Sequence, residues 1–78
     1  MMVYHVTTRK KFIKYMQSGC IKHPVRAWES IEEAERFSIS TGRRLILKLN
    51  FPHDAERLPG HQGKAYWLPL KDYILDDI

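Results

Sequence analysis

Val3-Tyr4-His5-Val6-Thr7-Thr8 sets β-prone bulk directly before two hydroxyls that cap helices well, so a strand over Met2 to Val6 is predicted to turn at once into a helix. From Arg9 to Gln17 the apolar residues Phe12, Ile13, Tyr15 and Met16 form one stripe of that helix, and Arg9, Lys10, Lys11 and Lys14 take its wet side. Ser18-Gly19 ends it, glycine accepting the left-handed conformation that a helix stop needs. A junction of this kind puts His5 where a strand ends and a helix begins, near the free backbone donors of the helix N-terminus. An imidazole beside the short, rigid hydroxyls of Thr7 and Thr8 can bond sugar or phosphate oxygens, which makes this cluster the best functional lead in the chain.

Working outward, Cys20 to Pro24 reads as a connection and Val25 to Trp28 as a short strand with Arg26 and Trp28 on one face. Ser30-Ile31-Glu32-Glu33 matches a capping box, in which the Ser30 hydroxyl and the Glu33 carboxylate each satisfy a free backbone donor. Ile31, Ala34, Phe37 and Thr41 then make the inward stripe of a second helix, closed by Gly42. Leu45, Leu47, Leu49 and Phe51 alternate with Ile46, Lys48 and Asn50, the clearest strand in the sequence and the one expected at the centre of the sheet. Pro52 stops it, and His53 to Gly63 is expected to be an exposed loop. Ala65 to Leu68 resumes a strand, after which the pattern allows either a last strand over Asp72 to Leu75 or a short helix over Leu70 to Ile78. The order predicts an α+β fold, one small mixed or antiparallel sheet of about four to five strands with two helices on one face and a cleft elsewhere.

Seventy-eight residues form a single domain, 1–78, because a chain this short buries only about 60% of its unfolded surface and cannot divide that between two cores. With 44% hydrophobic and 28% charged residues the balance is that of a globular protein and not of a disordered tail. Cys20 is the only cysteine, which rules out an intramolecular disulfide and the zinc clusters built on several cysteines; it reads as a small buried hydrophobe and fits a reducing cytoplasm. No apolar run approaches the ~20 residues of a membrane span, and the N-terminus lacks the order of a signal peptide, so the expected location is cytoplasmic, with no membrane partner. A net charge of +4 favours anionic partners such as nucleotides or RNA.

Arg26 and Trp28 together could grip a phosphate and stack on a ring, although a tryptophan in such a strand more often packs in the core. His53, Asp54, Glu56 and His61 match no metal-ligand spacing, so no metal site is expected. Asp72, Asp76 and Asp77 read as a hydrated acidic end, and glycine-rich phosphate loops are absent.

Three segments, in order, resemble the small ADP-ribosyltransferase-like fold: Tyr4-His5-Val6-Thr7-Thr8 with a helix ending at Gly19, Val25-Arg26-Ala27-Trp28-Glu29-Ser30-Ile31-Glu32-Glu33-Ala34, and Tyr66-Trp67-Leu68-Pro69 leading to Tyr73-Ile74. The resemblance implies that His5 bonds the ribose of NAD, with Thr7 the hydroxyl beside it. It also puts Arg26 at the position of that family's tyrosine and Tyr66 at that of its catalytic glutamate. A phenol titrating near ~10 supplies no anion at neutral pH, so the catalytic glutamate is missing. Glutamate-free relatives, RNA 2′-phosphotransferases among them, use arginines and histidines, a style that Arg26 beside His5 fits.

The expectation is therefore a nucleotide-, NAD- or ADP-ribose-binding protein, with His5, Thr7, Arg26 and Tyr66 around one cleft and NAD as the cofactor the resemblance implies. Whether it catalyses is left open; an active form would be an ADP-ribosyl- or phosphotransferase-like enzyme. The alternative is a basic RNA- or DNA-binding protein of a toxin-antitoxin or phage system, contacting phosphates through Arg9, Lys10, Lys11, Lys14, Arg43 and Arg44. A third is a structural subunit whose exposed strand pairs with a partner.

Overall fold

The structure, a computed structural model, describes residues 1–75. Strand β1 (Met2–Thr7) runs into helix α1 (Arg9–Ser18), as the opening junction requires. Thr8, with extended backbone, is the cap: its hydroxyl accepts from the Lys11 amide at 3.2 Å, while Gly19 closes the helix at φ 76°. Strand β2 (Cys20–Ile21) precedes β3 (Val25–Trp28), and helix α2 (Ile31–Thr41) leads to β4 (Leu45–Asn50). Two short strands, β5 (Glu56–Arg57) and β7 (Tyr73–Ile74), flank β6 (Ala65–Leu68).

All pairings are antiparallel. Five strands form one sheet in the order β4-β1-β3-β6-β5, and β2 pairs with β7 in a second, so the chain is a small α+β domain. β1 and β4 are zipped over six residues, Met2↔Asn50 to Thr7↔Leu45. β1 and β3 meet at one bridge only, Tyr4↔Trp28, and this short contact shapes the site.

The register sorts the side chains by face. Val3, His5 and Thr7 stand with Leu49 and Leu47 across β4, and Val25, Ala27 and Leu68 continue that face over β3 and β6. Ile21 and Phe51 complete its core, and Tyr15 of α1 and Tyr73 of β7 pack against it. The opposite face carries Trp28, which meets Phe37 of α2 with ring centroids 5.5 Å apart. The helices therefore lie on opposite faces of the sheet rather than sharing one. Helix α1 contributes no fully buried residue: Tyr15 and Phe12 are half-buried, and Ile13 and Met16 stay exposed.

Other sequence expectations are also corrected. β4 is an edge strand and not the central one, because its alternation reports that one side is buried and says nothing about how many neighbours it has. The segment from His53 to Gly63 is not all loop: Glu56 and Arg57 pair with Trp67 and Tyr66. The connection Cys20 to Pro24 likewise begins with two residues paired to Tyr73 and Ile74, which favours the strand over the helix for the last segment. Two-residue strands are too short to show a period. Cys20 is half-buried. At α2 the Ser30 hydroxyl accepts from the Glu33 amide, but the Glu33 carboxylate turns to Lys64 at 3.1 Å and Arg36 at 3.3 Å, so the capping box is half made. Thr41 is exposed, its hydroxyl bonded back to the Phe37 carbonyl. Asp76 and Asp77 lie outside the described residues.

Phe51 is the largest fully buried side chain, 1% exposed. Phe51→Ala should lower unfolding stability by about 3–5 kcal/mol, whereas Ile39→Ala, at an 83% exposed position, should change it by less than about 0.5 kcal/mol. Urea denaturation compares the two, and equal midpoints would place Phe51 outside the core.

Candidate functional site: a cationic groove beside a buried histidine

Beyond the Tyr4↔Trp28 bridge β1 and β3 separate, and the His5 ring fills the break. Its Nδ1 lies 2.6 Å from the Arg26 carbonyl oxygen and its Nε2 3.1 Å from the Tyr15 hydroxyl, which in turn is 3.2 Å from Thr7 Oγ1. A carbonyl oxygen can only accept, so Nδ1 carries the proton and neutral His5 accepts at Nε2. The chain of donors is then fixed: Thr7 Oγ1–H to Tyr15 Oη, Tyr15 Oη–H to His5 Nε2, His5 Nδ1–H to Arg26 O. Burial pushes the His5 pKa below its usual 6.5; the bond to the Arg26 carbonyl opposes that shift, and the nearby charges of Lys11 and Arg43 add to it.

His5 and Arg26 line a groove of about 910 Å³, to which both helices contribute, α1 through Lys11, Lys14, Tyr15 and Ser18 and α2 through Phe37. Among the described residues five fixed cations line it, Lys11, Lys14, Lys22, Arg26 and Arg43, and no aspartate or glutamate does. None of the five is in an ion pair among the described residues. Tyr15, Trp28 and Phe37 supply aromatic wall, and His23 and His61 line it as well. A cleft with low-dielectric walls and charge of one sign concentrates anions.

The His61 wall is a left-handed turn. Gly60, His61, Gln62 and Gly63 all have positive φ, at 82°, 52°, 55° and 72°. The two non-glycine residues cost roughly 1–2 kcal/mol each in that conformation. The turn is closed by the Gly63 amide on the Gly60 carbonyl and the Lys64 amide on the His61 carbonyl, and the Arg57 guanidinium holds the Gly63 carbonyl. It sets the His61 ring edge-on to Trp28, centroids 5.3 Å apart.

Of the residues expected around one cleft, His5 and Arg26 line the groove. Thr7 is 1% exposed and its hydroxyl is engaged by Tyr15, so it orients that phenol. Tyr66 is not a lining residue; it packs on the core with the Arg57 guanidinium 4.8 Å from its ring centroid. The basic set divides: Lys11, Lys14 and Arg43 line the groove, and Arg9, Lys10 and Arg44 are exposed away from it. Trp28 is half-buried and reaches the groove, while Trp67 does not line it and buries its indole nitrogen without a partner among the described residues. Asp54 pairs with Lys71, and among the described residues no group of three or more His, Cys, Asp or Glu is placed to hold a metal ion.

Sequence reasoning missed Lys22, the hydroxyl role of Tyr15, and a pair between His23 and Asp72 at 2.7 Å. Nothing in the local pattern joins residues 49 positions apart; the β2–β7 pairing brings them together.

No protein-family model matches the chain, and no curated protein or solved structure matches it. Among the described residues no helix is long and apolar enough to cross a membrane.

Because folding lowers the pKa of His5, the unfolded chain binds the proton more readily. The stability from this group is complete above the unfolded value of about 6.5 and falls as the pH drops below it, with a slope approaching about 1.4 kcal/mol per pH unit. Chemical denaturation from pH 7.5 to 5 should show this loss, and His5→Leu should remove this component whatever its absolute stability. An identical pH dependence in both proteins would contradict a buried, neutral His5.

Proposed function

We propose that the groove binds a nucleotide-type anion, namely a nucleotide, an NAD fragment or an ADP-ribosyl group, with the phosphates held by Arg26 and its cationic neighbours. One observation carries this reading: among the described residues, five fixed positive charges without ion-pair partners line one groove and no carboxylate does. Its volume falls in the range of about 300–1,000 Å³ common for small-molecule sites. A guanidinium offers a planar fork of donors to phosphate oxygens, and lysines add point charges. Trp28, Phe37 and the Tyr15 ring give a base or sugar an apolar wall to rest on.

This reading keeps the ADP-ribosyltransferase-like shape as the family proposal. The first strand that carries His5 and Thr7 and runs straight into a helix supports it, and so does the strand-to-helix segment that carries Arg26. In this proposal His5 and Thr7 act through Tyr15, whose hydroxyl can still accept a bond from the ligand. The location proposed is cytoplasmic. RNA remains the second reading because Arg9, Lys10 and Arg44 extend positive charge beyond the groove.

ADP-ribose or NAD should raise the melting temperature saturably, with stabilisation of about 2.7 kcal/mol at a hundredfold excess over Kd, while adenosine should not. Arg26→Gln should weaken binding roughly 10- to 100-fold, the equivalent of one charge-assisted hydrogen bond. Absence of any shift with NAD, ADP-ribose and AMP would overturn the proposal. Retention of RNA alone, with affinity falling steeply as salt rises, would move the function to the second reading.

A further inference from the structure

The groove wall holds a second histidine with a different environment from His5. His23 precedes β3, is half exposed, and donates from Nδ1 to Asp72 Oδ1 at 2.7 Å. The same carboxylate oxygen takes the His23 backbone amide at 2.8 Å. One oxygen therefore fixes this residue at both main chain and ring. These two bonds also hold the Asp72 carboxyl below its usual value, so it remains an anion at neutral pH. Since a carboxylate only accepts, the proton of neutral His23 sits on Nδ1 and the lone pair on Nε2, an atom with no partner among the described residues. A ring held this way, at the wall of a groove that gathers anions, has the arrangement of a general base with its orienting carboxylate.

We propose that His23, positioned by Asp72, is the general base of a hydrolytic site that cleaves the pyrophosphate link of a nucleotide bound in the groove. The inference rests on the nucleotide reading above. A single oriented imidazole supplies one proton transfer, and this selects the substrate class. Alkoxide leaving groups need a second proton donor, whereas a phosphate departs as an anion and can be stabilised by the lysines and arginines already lining the groove. In the step, Nε2 takes a proton from water as the water oxygen forms a bond to one phosphorus. The bridging P–O bond breaks, its electron pair leaves with the second phosphate, and His23 then returns the proton to solvent. From ADP-ribose the products are AMP and ribose 5-phosphate.

The test uses the whole protein with ADP-ribose in magnesium-containing buffer, with AMP measured by chromatography and binding by calorimetry. His23→Asn keeps an N–H where Nδ1 stood and removes Nε2, so it should retain the melting temperature and bind ADP-ribose within threefold, yet lose turnover on the order of 100-fold or more. Asp72→Asn should lower kcat with little change in affinity, and Asp72→Glu should recover part of it. A role confined to tying two segments together would change stability and affinity and would leave no such split. ADP-ribose that binds without release of AMP, or AMP release undiminished in His23→Asn, overturns this proposal and leaves the binding site standing. Failure of ADP-ribose to bind overturns this proposal, and failure of NAD and AMP as well overturns both.

Discussion

The hydrogen bond from the His5 ring to the Arg26 carbonyl joins β1 to β3 where their ladder stops. A backbone carbonyl in a sheet needs a donor, and a strand that has moved away cannot provide one. The imidazole supplies that donor from a side chain, so the two strands can stand apart without leaving the carbonyl unsatisfied. Much of the site follows from this substitution. It fixes the tautomer of His5, and with it the direction of the Tyr15 and Thr7 hydroxyls. It also pins the main chain of Arg26, whose side chain belongs to the groove wall.

Charge is distributed to the same effect. Among the described residues, Glu29, Glu33, Asp54 and Asp72 are paired with Arg57, with Lys64 and Arg36, with Lys71 and with His23. Exposed pairs of this kind add little stability. Their consequence lies elsewhere: the acids that have partners neutralise Arg36, Arg57, Lys64 and Lys71, none of which lines the groove, and Lys11, Lys14, Lys22, Arg26 and Arg43 line it without an ion pair among the described residues. A net charge of +4 spread evenly would make a weak field. Gathered along a single concavity it makes a strong one.

The local junctions were legible in the sequence because their signals are local. Thr8 before a lysine-rich helix, Ser30 before Ile31, and the alternation from Leu45 to Phe51 each report on neighbours within four residues, and all three appear in the structure. His5 was legible as a site residue for the same reason, since it sits at one of those junctions. Its partners were not. The Arg26 carbonyl belongs to no pattern, and Tyr15 resembled any aromatic on a helix stripe. The edge position of β4, the β2–β7 pair and the meeting of His23 with Asp72 depend on contacts between distant segments, which neither periodicity nor capping encodes. Lys22, next to a two-residue strand, had no context that could mark it.

The left-handed turn from Gly60 to Gly63 bears on how a guest would be received. Its shape is set by three hydrogen bonds to the main chain, one of them from the Arg57 side chain, so the unfavourable angles of His61 and Gln62 are already met when the chain folds. That rim has little disorder left to surrender on contact. A ligand bound as proposed would meet a finished mould at the Trp28 end rather than a limp flap, and less of the interaction energy would be absorbed by ordering the host.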